Sequence, residues 1–252
     1  GGAGVAGGGA FGGGFGDVRL GRMLMPLQEW NGAFDAFDTG YVASTHTGGI
    51  MATVRSTNTI YYRSPSLGGF FAHAGIAAGD NQIRGECCNY PNSTVAGTTL
   101  GIPATINGER PVGFALGYNS GPIRVVVAYD KNPLDLKTVG LYGGFNAGFA
   151  NIMAQFERGD TTLDEKVKRW SVSAKVPLGA VTFKVGYTRW SDEEVRKIGL
   201  GLQYDLSKRT NLYTNVGKFS GDGAQFFTAG SGQLANPDGT KTRFDVGVTH
   251  AF

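Results

Sequence analysis

From residue 16 onward, apolar and polar side chains alternate along the chain with a period of two. In 180–189, Val181, Phe183, Val185 and Tyr187 alternate with Thr182, Lys184, Gly186 and Thr188. In 169–178, Trp170, Val172, Ala174 and Val176 oppose Arg169, Ser171, Ser173 and Lys175. The same rhythm runs through 112–118, 123–130, 196–205 and 243–252, and more loosely through 59–63, 70–78, 138–145 and 149–157. A period of two puts each set on one face of a strand. Turn signals fall between these runs: Ser120-Gly121-Pro122, Asn132-Pro133, Gly159-Asp160, Leu178-Gly179, Ser191-Asp192 and Ser207-Lys208. The pattern predicts an all-β chain with about twelve strands counted from residue 16.

Two architectures use such strands. A soluble sandwich packs its apolar faces together, and a membrane barrel turns them to lipid. The polar face here is rich in Gly, Ser and Thr, with scattered Arg and Lys. Tyr118, Tyr129, Tyr187, Trp190, Tyr204 and Phe252 lie near strand ends, where a membrane barrel carries its aromatic girdles. The segments match the roughly 9–11 residues that a tilted strand needs to cross the hydrocarbon layer. Short turns alternate with long connections at 79–110 and 220–241. The expectation is a transmembrane antiparallel β-barrel, with a soluble β-protein as the alternative.

Composition narrows the class. Of 252 residues, 42 are glycine, 41% are hydrophobic and 17% are charged. That is too apolar for a disordered chain, and the glycines lack collagen's strict period. No run approaches the ~18 apolar residues of a spanning helix. A net charge of +3 is too weak and too spread for a nucleic-acid partner. The opening GGAGVAGGGAFGGGFG run shows no basic n-region and no apolar h-region. Residues 1–14 read as a disordered leader, with a weak barrel strand as the other reading, and 15–252 as the barrel. The adjacent Cys87 and Cys88 lack the spacing of a zinc site; a vicinal disulfide and two thiols without a role both remain open. The histidines, His46, His73 and His250, belong to no GxSxG or HExxH motif. No enzyme activity, metal or cofactor is expected.

FGDVRLGR (15–22), TIYYRSPSLGGF (59–70), YDLSKRTNLYTNVG (204–217) and the ending RFDVGVTHAF (243–252) occur in order. Together they resemble the trimeric Gram-negative general diffusion porins, and the resemblance spans 15–252. It implies a sixteen-stranded outer-membrane barrel, a homotrimer set among lipid and lipopolysaccharide, and passive diffusion of ions and small hydrophilic solutes. Family members carry about four strands before the FGDVRLGR strand. The chain is therefore expected to be a partial sequence; a smaller barrel closed by the last strand on residues 16–24 is the alternative.

The resemblance also implies a loop that folds into the lumen, here about residues 24–54. Its length is unusual for a hairpin. It carries Glu29, Asp35 and Asp38, and the wall arginines Arg22 and Arg55 match those that face this loop in the family. Arg19 shares lumen parity with Asp17. Arg22 and Arg55 could instead be rim charges, and the two aspartates ordinary loop carboxylates. Opposed acid and base create a field across a narrow aqueous gap. Other inward charges by parity or match are Arg63, Arg124, Arg169, Lys175, Lys184, Lys197 and Arg243, against Asp130, Glu157, Asp205 and Asp245. Base exceeds acid, so a mild anion preference is expected. An occluded structural or adhesion barrel without conductance is the alternative function.

Overall fold

The computed structural model describes residues 10–39, 42–45, 55–77, 109–132, 135–160, 166–190, 195–221 and 242–251. Its strands are β1 (Ala10–Gly13), β2 (Gly16–Leu24), β3 (Arg55–Arg63), β4 (Phe70–Ala77), β5 (Val112–Ser120), β6 (Ile123–Lys131) and β7 (Lys137–Asn146). They continue as β8 (Asn151–Asp160), β9 (Lys166–Leu178), β10 (Val181–Trp190), β11 (Val195–Asp205), β12 (Thr210–Ser220) and β13 (Thr242–His250). All lie in one antiparallel sheet in sequence order, so every neighbour in space is a neighbour in the chain. The strands expected from residue 16 are β2–β13. Of the Gly/Ala-rich run, Ala10–Gly13 forms β1 and pairs with Gly16–Arg19, and residues 1–9 lie outside the described residues.

Parity assigns the faces. Phe114, Leu116, Val125, Val127, Leu141, Phe156, Val172, Phe183, Val185, Leu200 and Val246 all stay exposed on the convex side. In a soluble sandwich a second sheet would cover such a belt; here the inner face is already occupied. Aromatic pairs reinforce the convex face: Phe70 with Tyr118 at 4.7 Å, Phe114 with Tyr129 at 5.1 Å and Trp170 with Tyr187 at 5.2 Å between centroids.

One expectation and one alternative need correction, and one element is added to the all-β reading. Trp190 does not join the outer girdle. It has the opposite parity to Tyr187, is 1% exposed, and clusters inside with Val167, Val195 and Phe219. The last strand does not close on residues 16–24: both edges of β2 are taken, by β1 and by β3. Finally, the chain contains a helix, α1 (Pro26–Ala33), at the start of the inward loop. Cys87, Cys88, His46 and Phe252 lie outside the described residues.

An isolated eight-residue helix is marginal in water, so the wall must supply what propensity does not. Pro26 starts α1 where a missing N–H costs nothing. The Leu27 N–H donates to the buried Asp130 carboxylate on β6 at 3.2 Å, which satisfies one orphan donor of the first turn. Leu27, Trp30 and Phe34 then pack on Ala115, Val126, Ala128 and Tyr142 of β5–β7. Burying each of these large side chains contributes on the order of 1.5–3 kcal/mol.

Candidate functional site

The loop after β2 runs along the concave wall, and beyond the α1 packing three of its contacts with that wall set its path. The first is at β3 and β4. Glu29 accepts from the Tyr61 hydroxyl at 2.5 Å and from the Arg63 guanidinium, and lies 3.4 Å from His73 Nδ1. Burial alone would raise the Glu29 carboxyl. The hydrogen bonds from His73 and Tyr61 and the charge of Arg63 outweigh it and hold the group below its ordinary value. A depressed carboxylate stabilises the folded state above its unfolded pKa, near ~4.3, and loses that contribution as pH falls through the lower folded value. This anchor should therefore hold at neutral pH and release only as the pH falls below the ordinary carboxylate range. Conductance recorded from pH 7 downward should change in that acid range, and Glu29→Gln should remove the acid-dependent change. An acid response that survives Glu29→Gln would assign it to another group.

The second contact is a knot centred on Asp35, which is 2% exposed. Its carboxylate accepts from the N–H groups of Phe37 (3.1 Å), Thr39 (2.9 Å) and Thr45 (3.1 Å), and from the hydroxyls of Ser44 (2.5 Å) and Thr45 (2.8 Å). The knot turns the chain so that the Ser44 and Thr45 carbonyls face the wall. Lys197 Nζ on β11 donates to Ser44 O at 2.6 Å, and Arg169 Nη1 on β9 donates to Thr45 O at 2.7 Å. Arg169 also donates to Gln155 at 2.9 Å and pairs with Glu157 at 3.1 Å, both ionic side chains being fully buried. Glu157 accepts in turn from Tyr142 at 2.8 Å and from Asn31 of α1. The third contact is the Val42 N–H, which donates to Asp245 on β13 at 2.8 Å.

Two wall glycines permit this close approach. A Cβ on Gly199 would collide with the Ala43 carbonyl, and one on Gly217 with the Val42 carbonyl. On the other wall, Gly21 adopts φ 129° at a bulge between β2 and β3. Positive φ at a bulge is a position that glycine fills without strain.

The predicted site residues thus fall into groups. Arg19 pairs with Asp17 at 2.6 Å on β2. Arg22 sits at the bulge, and Arg55 follows at the start of β3 opposite Leu24. Arg63 binds Glu29, Arg169 is locked behind the loop, and Arg124 lies over the rings of Trp30 (4.8 Å) and Phe34 (4.9 Å). Asp38 is the loop acid that projects into solvent, with 59% of its side chain exposed. It bridges Lys175 Nζ (2.6 Å) and Lys184 Nζ (3.2 Å). Charge and motif do not single out Tyr61, Gln155, Asn31 and Tyr142 as partners. The inward parity of Tyr61 and Tyr142, both large and fully buried, is the available signal.

A cavity of about 860 Å³ remains beside the loop, toward the short-turn rim marked by Asn119, Pro122 and Asn146. Arg55, Arg124, Lys175 and the three loop acids line it. Among the described residues, neither Arg55 nor Arg124 has a carboxylate within ion-pair distance, and no His/Cys/Asp/Glu cluster could hold a metal ion.

The chain is similar to known proteins in sequence and fold. A family model described as Gram-negative porin matches residues 9–224. Outer membrane porin protein 32 of Delftia acidovorans is 27% identical, over 95% of this chain and 71% of its own length. An outer membrane porin protein of Bordetella pertussis is 23% identical, over 94% and 69%. Among solved structures, the anion-selective porin from Comamonas acidovorans superposes with a TM-score of 0.67 at 23% identity, covering 96% of this chain and 76% of that one. The trimer form of in-vitro folded OmpT of Vibrio cholerae gives 0.62 at 13% identity, covering 94% and 77%. The β-meander with its lipid-facing belt, the inward loop and the family match lead to one conclusion: the chain belongs to the Gram-negative porin family and is an outer-membrane β-barrel channel protein.

Proposed function

We propose that the channel passes small hydrophilic solutes by passive diffusion, with a mild preference for anions, and that the inward loop of about residues 24–54 forms its constriction. One observation carries the preference. Among the described residues, Arg55 and Arg124 line the cavity with no carboxylate in ion-pair contact, Glu29 acting on Arg124 only at longer range, whereas each loop acid is already engaged. Glu29 is spent on Arg63, Asp35 on loop hydroxyls and amides, and Asp38 on two lysines. Net positive potential in a narrow aqueous gap raises the local anion concentration. The Comamonas porin of similar fold is anion-selective, and the charges here point the same way. Assembly as a homotrimer among lipid and lipopolysaccharide is part of the same reading, supported by the trimeric form of a structural neighbour.

The test is planar-bilayer recording under a KCl gradient. Wild-type protein should give stepwise currents with an anion-selective reversal potential. Arg55→Ala and Arg124→Ala should each move that potential toward zero, and Arg22→Ala tests the bulge arginine in the same assay. A cation-selective potential in the wild type would overturn the preference. A folded barrel without current would favour the occluded reading.

A further inference from the structure

Lys175 and Lys184 are direct cross-strand partners on β9 and β10. Like charges placed opposite one another on one face of a sheet repel. This pair is held on the inner wall, where Lys184 keeps only 5% of its side chain exposed and Lys175 27%. Two ammonium groups so placed form a receptor for one anion with two oxygens. The chain fills it: Asp38 Oδ1 meets Lys175 at 2.6 Å and Oδ2 meets Lys184 at 3.2 Å.

The occupant differs from the receptor. The Asp38 side chain is 59% exposed and lines the open cavity with Lys175. Its backbone is held at φ 56°, with Thr39 at φ 65°, a left-handed conformation that non-glycine residues rarely adopt. The Asp35 carboxylate, accepting the Thr39 N–H at 2.9 Å, helps to impose that turn. A rigid wall site is thus covered by a strained and solvent-facing carboxylate at a loop tip.

We infer that Lys175 and Lys184 form an oxyanion-binding subsite on the channel wall and that Asp38 is its tethered competitor, the residue that keeps passing carboxylates and phosphates from being retained. The inference rests on the channel reading above for its consequence in permeation, but the subsite itself is a property of the wall. Chloride, a single-point anion, gains less from the paired geometry than an anion offering two oxygens.

The experiment compares wild type, Asp38→Asn and Asp38→Asn/Lys175→Ala/Lys184→Ala, all checked for the heat-modifiable gel mobility of a folded barrel. Inorganic phosphate is the probe. It is titrated into detergent-purified protein by calorimetry and added to chloride currents in bilayers. Asp38→Asn should bind phosphate at least ~10-fold more tightly than wild type, equivalent to about 1.4 kcal/mol. It should also show block of chloride current at correspondingly lower phosphate. The triple variant should lose both effects. Equal phosphate binding by wild type and Asp38→Asn would overturn the inference, as would tight binding that survives loss of both lysines. If calorimetry shows the expected gain while no variant carries current, the subsite stands and the channel reading fails.

Discussion

Arg169→Ala should lower the thermal midpoint of the barrel, read as the temperature at which its gel mobility shifts, by more than Arg55→Ala or Arg124→Ala does. The guanidinium is fully buried and has three partners: Thr45 O, Gln155 and Glu157. Removing it strands the Glu157 carboxylate, itself fully buried, beside α1 and β7. Breaking a buried pair by deleting one partner costs about 3–5 kcal/mol, because the remaining charge is uncompensated. The cost should be largely electrostatic, so a compensating change can be designed. Glu157→Gln with Arg169→Met removes both charges while keeping most of the volume. That double variant should recover more than half of the lost midpoint despite carrying an extra substitution. Equal loss in the single and double variants would mean that the stranded charge is not the cause, and that Arg169 matters through its bond to the loop.

The contrast between wall and loop explains what can be read from the sequence. Strands β2–β13 are legible because their two faces meet different solvents, and period-two alternation records that directly. Phe183 and Lys184 have to part ways whatever the rest of the chain does. Trp190 departs from the girdle expectation because nearness to a strand end is the weaker signal, and parity decides the face. The helix is hidden for a different reason. Its eight residues carry too little amphipathic pattern to identify, and it exists because Asp130 caps it and β5–β7 receive its large side chains. The charges on the inner wall are also legible as inward. Their pairing is not, since it depends on the path of the loop. Asp38 meets Lys175 across a separation of 137 residues, and Glu29 meets Arg63 across 34. Nor does sequence distinguish a carboxylate that faces the aqueous gap, as Asp38 does, from one that ties the loop to itself, as Asp35 does.

Asp35→Ala should free the loop while leaving the barrel folded. Among the described residues, at least five donors converge on this one carboxylate, three of them backbone N–H groups that cannot turn away to find water. A hydrogen bond to a charged group contributes about 1.5–3 kcal/mol, and a buried donor left unmade costs about 1–3 kcal/mol. The turn from Asp35 to Thr45 is built around this carboxylate and cannot absorb several such losses. Once the knot opens, the Ser44 and Thr45 carbonyls leave Lys197 and Arg169, and the segment comes off the wall near Gly199 and Gly217. The strand ladders do not pass through Asp35, so the thermal midpoint should fall by much less than in Arg169→Ala. Phe34 and Phe37, now buried, should become sites of rapid chymotrypsin cleavage. Single-channel current should turn noisy and its mean conductance should rise, because the loop is no longer held against one wall. Asp35→Asn is the sharper variant. A carboxamide can serve the donors now on one carboxylate oxygen, but its NH₂ faces the Thr39 N–H, so it should loosen the 38–39 tip first. If Asp35→Ala remains resistant to chymotrypsin and conducts quietly, the knot does not hold the loop, and the anchors at Glu29 and Asp245 suffice.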